Sequence, residues 1–424
     1  MKNVIDCLQE RGFIEAMTSP ELREIAQKPL KVYVGFDPTA DSLHLGNLIG
    51  IMGLAWFQKF GHTPYAILGG ATGRIGDPSG KSSERAFLGD DVLERNVQAL
   101  QRFFEKILDF KQGPKPVILN NNDWLSKFTL IDFLRDVGKH FRIGPMMAKE
   151  NVRARLQSEE GMSFTEFSYQ ILQGYDFYYL NQHHGVTVEM GGSDQWGNIT
   201  AGTEFNRKVG GKTLYGLTFS LLTRSDGKKF GKSEEGAIWL SADKLSPYQF
   251  FQHLVRMPDA DVIRLLKMLT FLPLSDIHAI EQEMKQPGYV PNTAQRKLAE
   301  EVTRFVHGEE GLEAALRVTE SMAPGGAATL SADTLAELAG DMPSAELGKE
   351  EVIGCKFVDV AVKIGLLPSK SEATRLIKNG GAYLNNVRVD DPTRILSDAD
   401  VIDGKFVLMS MGKKKRMLIS INSI

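Results

Sequence analysis

Short apolar runs at Lys31–Phe36, Tyr65–Leu68, Val117–Leu119 and Val186–Met190 alternate with longer stretches in which apolar positions recur every three or four residues. That alternation predicts parallel strands joined by crossover helices, an α/β body suited to binding a nucleotide. From about Pro247 to Met322 the strand-like runs stop, while Asp259–Leu269 and Asn292–Val306 keep helical spacing, so a small helical domain is expected over 241–323. Pro324-Gly325-Gly326-Ala327-Ala328 opens a stretch of small and acidic residues, expected to be a linker over 324–350. Beyond it, Pro368 to Ala382 reads as a capped basic helix with a glycine stop. Tyr383-Leu384-Asn385, Val387-Arg388-Val389 and Met417-Leu418-Ile419 read as strand, giving a separate α+β unit over 351–424.

Length and charge refine this outline. A chain of 424 residues suggests two or three domains. The start, Met1-Lys2-Asn3-Val4-Ile5-Asp6, is neither a signal nor a transit sequence, and no apolar run nears the roughly 18 residues that span a bilayer. A soluble cytoplasmic protein is expected. The two cysteines, Cys7 and Cys355, lie far apart without a C-x-x-C spacing, which argues against a disulfide framework or a zinc site. Net charge is −3, yet Glu351 to Ile424 carries 12 Lys/Arg against 8 Asp/Glu. A basic end on an acidic body fits RNA binding, with a merely solubilising tail as the alternative.

Two stretches 185 positions apart are suited to phosphate. His44-Leu45-Gly46-Asn47 follows a predicted strand and opens a helical segment from Leu48 to Phe60, where backbone N–H groups stabilise anions. Lys229-Phe230-Gly231-Lys232-Ser233 is a glycine-containing loop with two lysines that can close over a triphosphate. Taken singly, a capping histidine and a solvated lysine loop explain them equally well. Between them, Tyr169, Gln173 and Asp176 share one face of a predicted helix that is otherwise largely apolar. From Leu156 to Asn206 there is no Lys or Arg but seven acids, an excess that suits a cationic ammonium group.

With Phe36-Asp37-Pro38-Thr39-Ala40-Asp41-Ser42-Leu43 leading into the first stretch and Ser225-Asp226-Gly227 into the second, the pair resembles the HIGH and KMSKS signatures of class I aminoacyl-tRNA synthetases. Gly69-Gly70-Ala71-Thr72-Gly73, Gly76-Asp77-Pro78-Ser79-Gly80-Lys81, the Tyr169/Gln173/Asp176 pattern and Gly191-Gly192-Ser193-Asp194-Gln195-Trp196-Gly197-Asn198 look, together, like the bacterial-type tyrosyl-tRNA synthetases over nearly the whole chain. The resemblance implies a Rossmann-like catalytic domain over 1–240, then the helical domain, then an RNA-binding module similar to one in a ribosomal small-subunit protein. It implies activation of L-tyrosine with ATP and transfer to the 3′ end of tyrosine tRNA, by a homodimer without a membrane. No cofactor is tightly bound, Mg²⁺ accompanies ATP, and no metal cage or editing domain is expected.

By position, the resemblance gives Tyr169, Gln173 and Asp77 the substrate ammonium and Tyr33 and Asp176 the phenolic hydroxyl, with Gln195 also at the amino acid. Gly191 and Asp194 match positions near the ribose, and Gly35, Asp37 and Gly46 complete the ATP site. His44, Thr39 and Asn47 from the first motif, Lys229, Lys232 and Ser233 from the second, and Lys81 and Arg85 are expected at the phosphates. Three positions depart from the pattern. Asn47 replaces the second histidine, Val34 stands where a cysteine is common, and Glu189 stands where glutamine is usual. Tryptophan activation is the nearest enzymatic alternative, but it would leave Tyr33 and Asp176 without a hydroxyl to bind. A non-catalytic RNA-binding scaffold would be expected to have lost His44, Lys229 and Lys232. The apolar residues Phe128, Ile131, Phe133, Leu134, Phe141, Met146, Met147 and Phe164 suit either a dimer face or the monomer core.

Overall fold

The computed structural model describes residues 2–424 apart from 82–83, 85–86, 224, 226–229, 234–235, 322–329, 331, 340–341, 413–414 and 423–424; of 232–233, 333–334 and 337–338 it describes the backbone alone. The chain forms two compact units, 1–245 with 252–306 and 246–251 with 307–424.

In the first unit six strands, β1 (Ile14–Met17), β2 (Lys31–Phe36), β3 (Thr63–Leu68), β4 (Val117–Asn120), β5 (Val188–Gly192) and β6 (Tyr215–Phe219), form one sheet in the order β1-β6-β5-β2-β3-β4. All neighbours are parallel except the edge pair β1 and β6. The four expected strands are present, the last starting at Val188 rather than Val186. The strands expected from the sequence do not include β1 or β6; β1 is four residues long, and β6 is buried at every position. Chain order runs outward from β2 through β3 to β4 on one side and from β5 to β6 on the other. The reversal between β2 and β5 is where a crevice opens at the carboxyl ends of the strands. In that register Tyr33 on β2 lies beside Glu189 on β5.

Two helices frame the crevice. Leu48–Lys59 follows β2 and is buried along most of its length. Phe164–His184 begins at Ser163, whose hydroxyl accepts from the Glu166 N–H, and ends at Gly185, whose φ of 70° closes the left-handed cap. Further along, β7 (Lys232–Ser233) and β8 (Gly236–Ala237) form a two-stranded hairpin.

The second unit carries β9 (Ser344–Gly348), β10 (Ala382–Leu384), β11 (Val387–Arg388), β12 (Phe406–Met411) and β13 (Lys415–Asn422), ordered β11-β10-β12-β13-β9 with only β9 parallel to its neighbour. The basic helix Lys370–Lys378 is capped by Ser369 and buries Ala373 and Ile377 in a core with Phe357, Leu367, Val407, Met409 and Ile419. Two domain expectations are corrected. Within the supposed linker, Ala332–Ala339 is a helix and Ser344–Gly348 is a sheet strand; Leu335 packs with Leu408 and Leu418. Small residues dominate that stretch and hide its few spaced leucines. Nor is 241–323 a compact unit of its own: 241–245 and 252–306 group with the first unit, and 246–251 and His307 onward with the second. Helical spacing continues through Thr293–Ser321, broken only at Gly308 (φ 75°), so periodicity carried no boundary.

Candidate active site

The turn after β2 is built from its own side chains. His44 Nδ1 accepts from the Gly46 N–H at 3.1 Å, and Asn47 Oδ1 accepts from the His44 N–H at 3.1 Å. Because Nδ1 is an acceptor, the neutral imidazole carries its proton on Nε2, the tautomer that can donate to an anion. Asn47 therefore acts here as a reciprocal cap of the turn, a role an amide oxygen fills without an imidazole.

The second motif meets this turn. Leu45 N–H donates to the Ile238 carbonyl at 2.8 Å, Leu240 N–H to the Leu43 carbonyl at 2.8 Å, and Ile238 N–H to the Gly231 carbonyl at 2.9 Å. Gly231 has φ of 85°, and a Cβ there would stand 2.7 Å from the Gly46 nitrogen, so only glycine fits. Of the expected residues in this motif, the backbone of Lys232 and Ser233 forms β7, while Lys229 lies outside the described residues, as does Arg85. Gly35 and Thr39 are exposed near the carboxyl end of β2, and Thr39 N–H donates to the Asp37 carbonyl.

Beside the turn, a polar network runs through the buried crevice. Tyr169 donates to Asp37 Oδ2 at 2.9 Å, and Thr72 Oγ1 donates to Asp37 Oδ1 at 2.7 Å. Asn121 Nδ2 donates to Thr72 Oγ1 and to Asp176 Oδ2, both at 2.9 Å, and Trp124 Nε1 donates to Asp176 Oδ1 at 2.7 Å. One connected chain thus joins Tyr169 to Asp176. Next to it, Asp77 accepts from Gln195 Nε2 at 2.7 Å, from Asn198 Nδ2 at 3.3 Å and from the Ser79 N–H at 3.0 Å. Gln173 donates to Glu189 Oε1 at 2.8 Å. Gly191 and Gly192 let the following turn fold close, since a Cβ on either would reach Gln195 at 2.8 Å or Asp194 at 2.6 Å. Gly80 lies against Asp194 as well, which brings the loop from Asp77 to the exposed Lys81 to that turn.

The pocket is electrostatically tense. Burial pushes Asp176 up to about 8, against the pull of Asn121 and Trp124, and pushes Glu189 up to about 7. Asp194 is raised by burial and by the charge of Asp77. Tyr33 is 2 % exposed and raised well above the ordinary phenol by burial, then by Glu189 and Asp176. Among the described residues neither the Tyr33 hydroxyl nor Glu189 Oε2 makes a well-formed hydrogen bond, although the hydroxyl faces the carboxylate closely enough to act on its charge. Such an arrangement can accept a cation against Asp77, Tyr169 and Gln173 and a second hydroxyl against Tyr33 and Asp176.

The structure therefore brings Tyr33, Asp77, Tyr169, Gln173, Asp176 and Gln195 into one linked cluster. Asp37, expected at ATP, accepts from Tyr169 and Thr72. Sequence reasoning missed Thr72, Asn121, Trp124 and Asn198. The polar run Asn120-Asn121-Asn122 directly after an apolar strand was the available signal.

Residues 25–323 match the family model described as class I tRNA synthetases (W and Y), and residues 334–419 match a C-terminal domain described as tyrosine–tRNA ligase SYY-like. The chain is 60 % identical over 99 % of both lengths to the tyrosine–tRNA ligase of Protochlamydia amoebophila, strain UWE25. It is 52 % identical to the chloroplastic/mitochondrial tyrosine–tRNA ligase of Arabidopsis thaliana, over 99 % of this chain and 84 % of that one. A C-terminally truncated mitochondrial tyrosyl-tRNA synthetase of Aspergillus nidulans superposes with a TM-score of 0.66 at 33 % identity, over 74 % of this chain and 92 % of that one.

Proposed function

The chain belongs to the class I tyrosyl-tRNA synthetases, ATP-dependent tyrosine–tRNA ligases, and from that premise we propose how its residues divide the work. The amino acid's carboxylate attacks the α-phosphorus of ATP in line, pyrophosphate leaves, and tyrosyl-adenylate then passes its tyrosyl group to tRNA. A carboxylate is already a competent nucleophile, so no general base is needed. Catalysis rests on alignment and on donors to the charge that builds on the phosphate oxygens. His44 supplies one donor through Nε2, and the Gly46 turn fixes its aim. Lys232, Ser233, Lys229, Thr39, Lys81 and Arg85 are assigned to the same phosphates, with Asp194 and Gly191 at the ribose. Mg²⁺ enters as part of the ATP substrate.

Tyrosine rather than tryptophan is favoured by one observation above the rest: the buried Tyr33 hydroxyl, which makes no well-formed hydrogen bond and lies within electrostatic reach of Glu189 and Asp176. A phenolic hydroxyl can both donate and accept between these groups, whereas phenylalanine offers neither and an indole offers a donor but no acceptor. Tyrosyl-tRNA synthetases as a class reject phenylalanine by about 10⁵ without editing, and an unpaired-group penalty of this kind is the accepted reason. The ammonium falls to Asp77, Gln173 and Tyr169, whose hydroxyl donates to Asp37 and so has lone pairs to accept. A homodimer is supported by the exposed Ile131, Leu134, Met147 and Phe164, although Met146 from the same stretch is buried. The bacterial relatives support a cytoplasmic location.

ATP–pyrophosphate exchange with a panel of amino acids should respond to tyrosine and ignore tryptophan and phenylalanine; tryptophan outrunning tyrosine would overturn the assignment. In single-turnover assays His44→Ala should slow adenylate formation by about 10²–10³ while weakening tyrosine binding far less. Adenylate forming at the wild-type rate would make the turn merely structural.

A further inference from the structure

Gln173 is half-buried and its amide is asymmetric: one end only donates and the other only accepts. The nitrogen end is committed to Glu189 Oε1 at 2.8 Å, so the carbonyl end is turned away from Glu189. An ionised carboxylate has no donor, and the reversed amide would set oxygen against oxygen inside the sheet core. Glu189 is 2 % exposed; the Gln173 amide makes its one well-formed side-chain hydrogen bond among the described residues, and the Tyr33 hydroxyl faces it as a second donor that leaves the Gln173 amide in place. A glutamine at position 189 would lack this property, because it can donate or accept and would leave Gln173 free to turn over.

We infer that Glu189 is a positioning residue for substrate binding, locking the Gln173 amide with its carbonyl oxygen presented to the ammonium group of the amino acid. This rests on the tyrosine-pocket reading above. The lock needs Glu189 ionised. Groups facing it are Tyr33 on β2 and Gln173 and Asp176 on the helix Phe164–His184, while β6 offers Gly216 without a side chain. Burial moves the carboxyl up to about 7, so the ionised fraction, and with it the lock, grows as pH rises through neutrality. Asp176 titrates in a nearby range, up to about 8, but it serves the phenol end of the pocket.

The test uses two ligands of the intact enzyme: tyrosine, and 3-(4-hydroxyphenyl)propionate, which keeps the phenol and lacks the ammonium. KM for tyrosine and the inhibition constant of the analogue would be measured by pyrophosphate exchange between about pH 6 and 8.5 for the wild type and Glu189→Gln, alone and combined with Gln173→Ala. At about pH 8 Glu189→Gln should raise KM for tyrosine on the order of tenfold and shift the analogue less than about twofold. The wild type should lose tyrosine affinity as pH falls through about 7, the variant should not, and Gln173→Ala should abolish the effect of the second substitution. Equal weakening of both ligands, or no change, overturns the inference. A low-pH limb that persists in Glu189→Gln or appears equally with the analogue assigns it to Asp176 and overturns it too. Should the variant not fold, the two wild-type pH profiles decide between the same outcomes. Absence of any tyrosine-dependent exchange in the wild type would instead overturn the pocket reading itself.

Discussion

The crevice of the first unit and the sheet-and-helix module of the second use charge in opposite ways. In the crevice Tyr33, Asp176 and Glu189 are almost wholly buried; Asp176 and one Glu189 oxygen are held by fixed donors, while the Tyr33 hydroxyl and the other Glu189 oxygen are not. In the module Lys370, Arg388 and Arg394 keep 65 %, 56 % and 48 % of their side chains exposed while leaning on Asp359, Asp390 and Asp400. Exposed pairs of this kind add little stability and are screened by salt. Buried groups select by the penalty of being left unpaired; exposed cations hold a polyanion whatever its sequence. The contrast fits the proposal that one unit chooses the amino acid and the other holds RNA through salt-sensitive contacts.

Removing 322–424 is the severest way to break that contrast. Pyrophosphate exchange should survive, because every pocket residue precedes the cut, and a C-terminally truncated relative forms the corresponding fold. Charging of tRNA should collapse, by roughly a hundredfold if a few phosphate contacts are lost. A cut at Lys349 is a poorer test, since it strands β9 away from β13. In the intact protein, tRNA affinity should fall on the order of ten- to a hundredfold between about 50 and 200 mM salt, while KM for tyrosine stays flat. Normal charging by the shortened chain would reduce the module to a solubilising appendage.

Tyr33→Phe sharpens the other half. The ring that packs edge-on against Phe177 at 5.3 Å remains, so the fold should stand, while the hydroxyl disappears. Discrimination against phenylalanine should drop by roughly 5- to 150-fold, equivalent to about 1–3 kcal/mol. An unchanged tyrosine-to-phenylalanine ratio in kcat/KM would remove Tyr33 from the specificity site.

Legibility in the sequence followed the range of the interactions. The helix Leu48–Lys59 and the capped helix Lys370–Lys378 could be read because caps and periodicity are local. The meeting of Gly46 with Gly231 could be inferred only from the resemblance, since nothing near either residue encodes the other. Asn121 and Trp124 went unread for the same reason: each finds Asp176 across more than fifty residues. Asp37 shows the limit of a motif. The resemblance gives it the ATP site, and its bond to Tyr169 is a further contact that the motif does not encode. In the second unit β9 escaped notice because its glycine- and acid-containing sequence has no strand pattern, and pairing with β13 alone makes it one.

The smallest effect expected is on the fold itself, and it tests whether the crevice is held at some cost. Asp176 titrates near 4 in an unfolded chain and at about 8 in the ligand-free fold, chiefly because burial disfavours its charge. Between those values the folded state binds the extra proton, so stability declines as pH rises from about 4 and the loss is complete above about 8. Glu189 adds a shift of the same sign that ends near 7, but it is present in wild type and variant alike and cancels between them. In Asp176→Asn the substituted amide cannot ionise, and its nitrogen meets the donors Asn121 and Trp124 less well than a carboxyl oxygen does, so the variant should gain nothing at about pH 5. Its Tm relative to the wild type should then climb by a few degrees toward about pH 8, even as tyrosine turnover falls. A difference in Tm that stays flat from about pH 5 to pH 9 would mean that the buried carboxylate is already satisfied by its two donors, and the pocket's selectivity would then come without a stability cost.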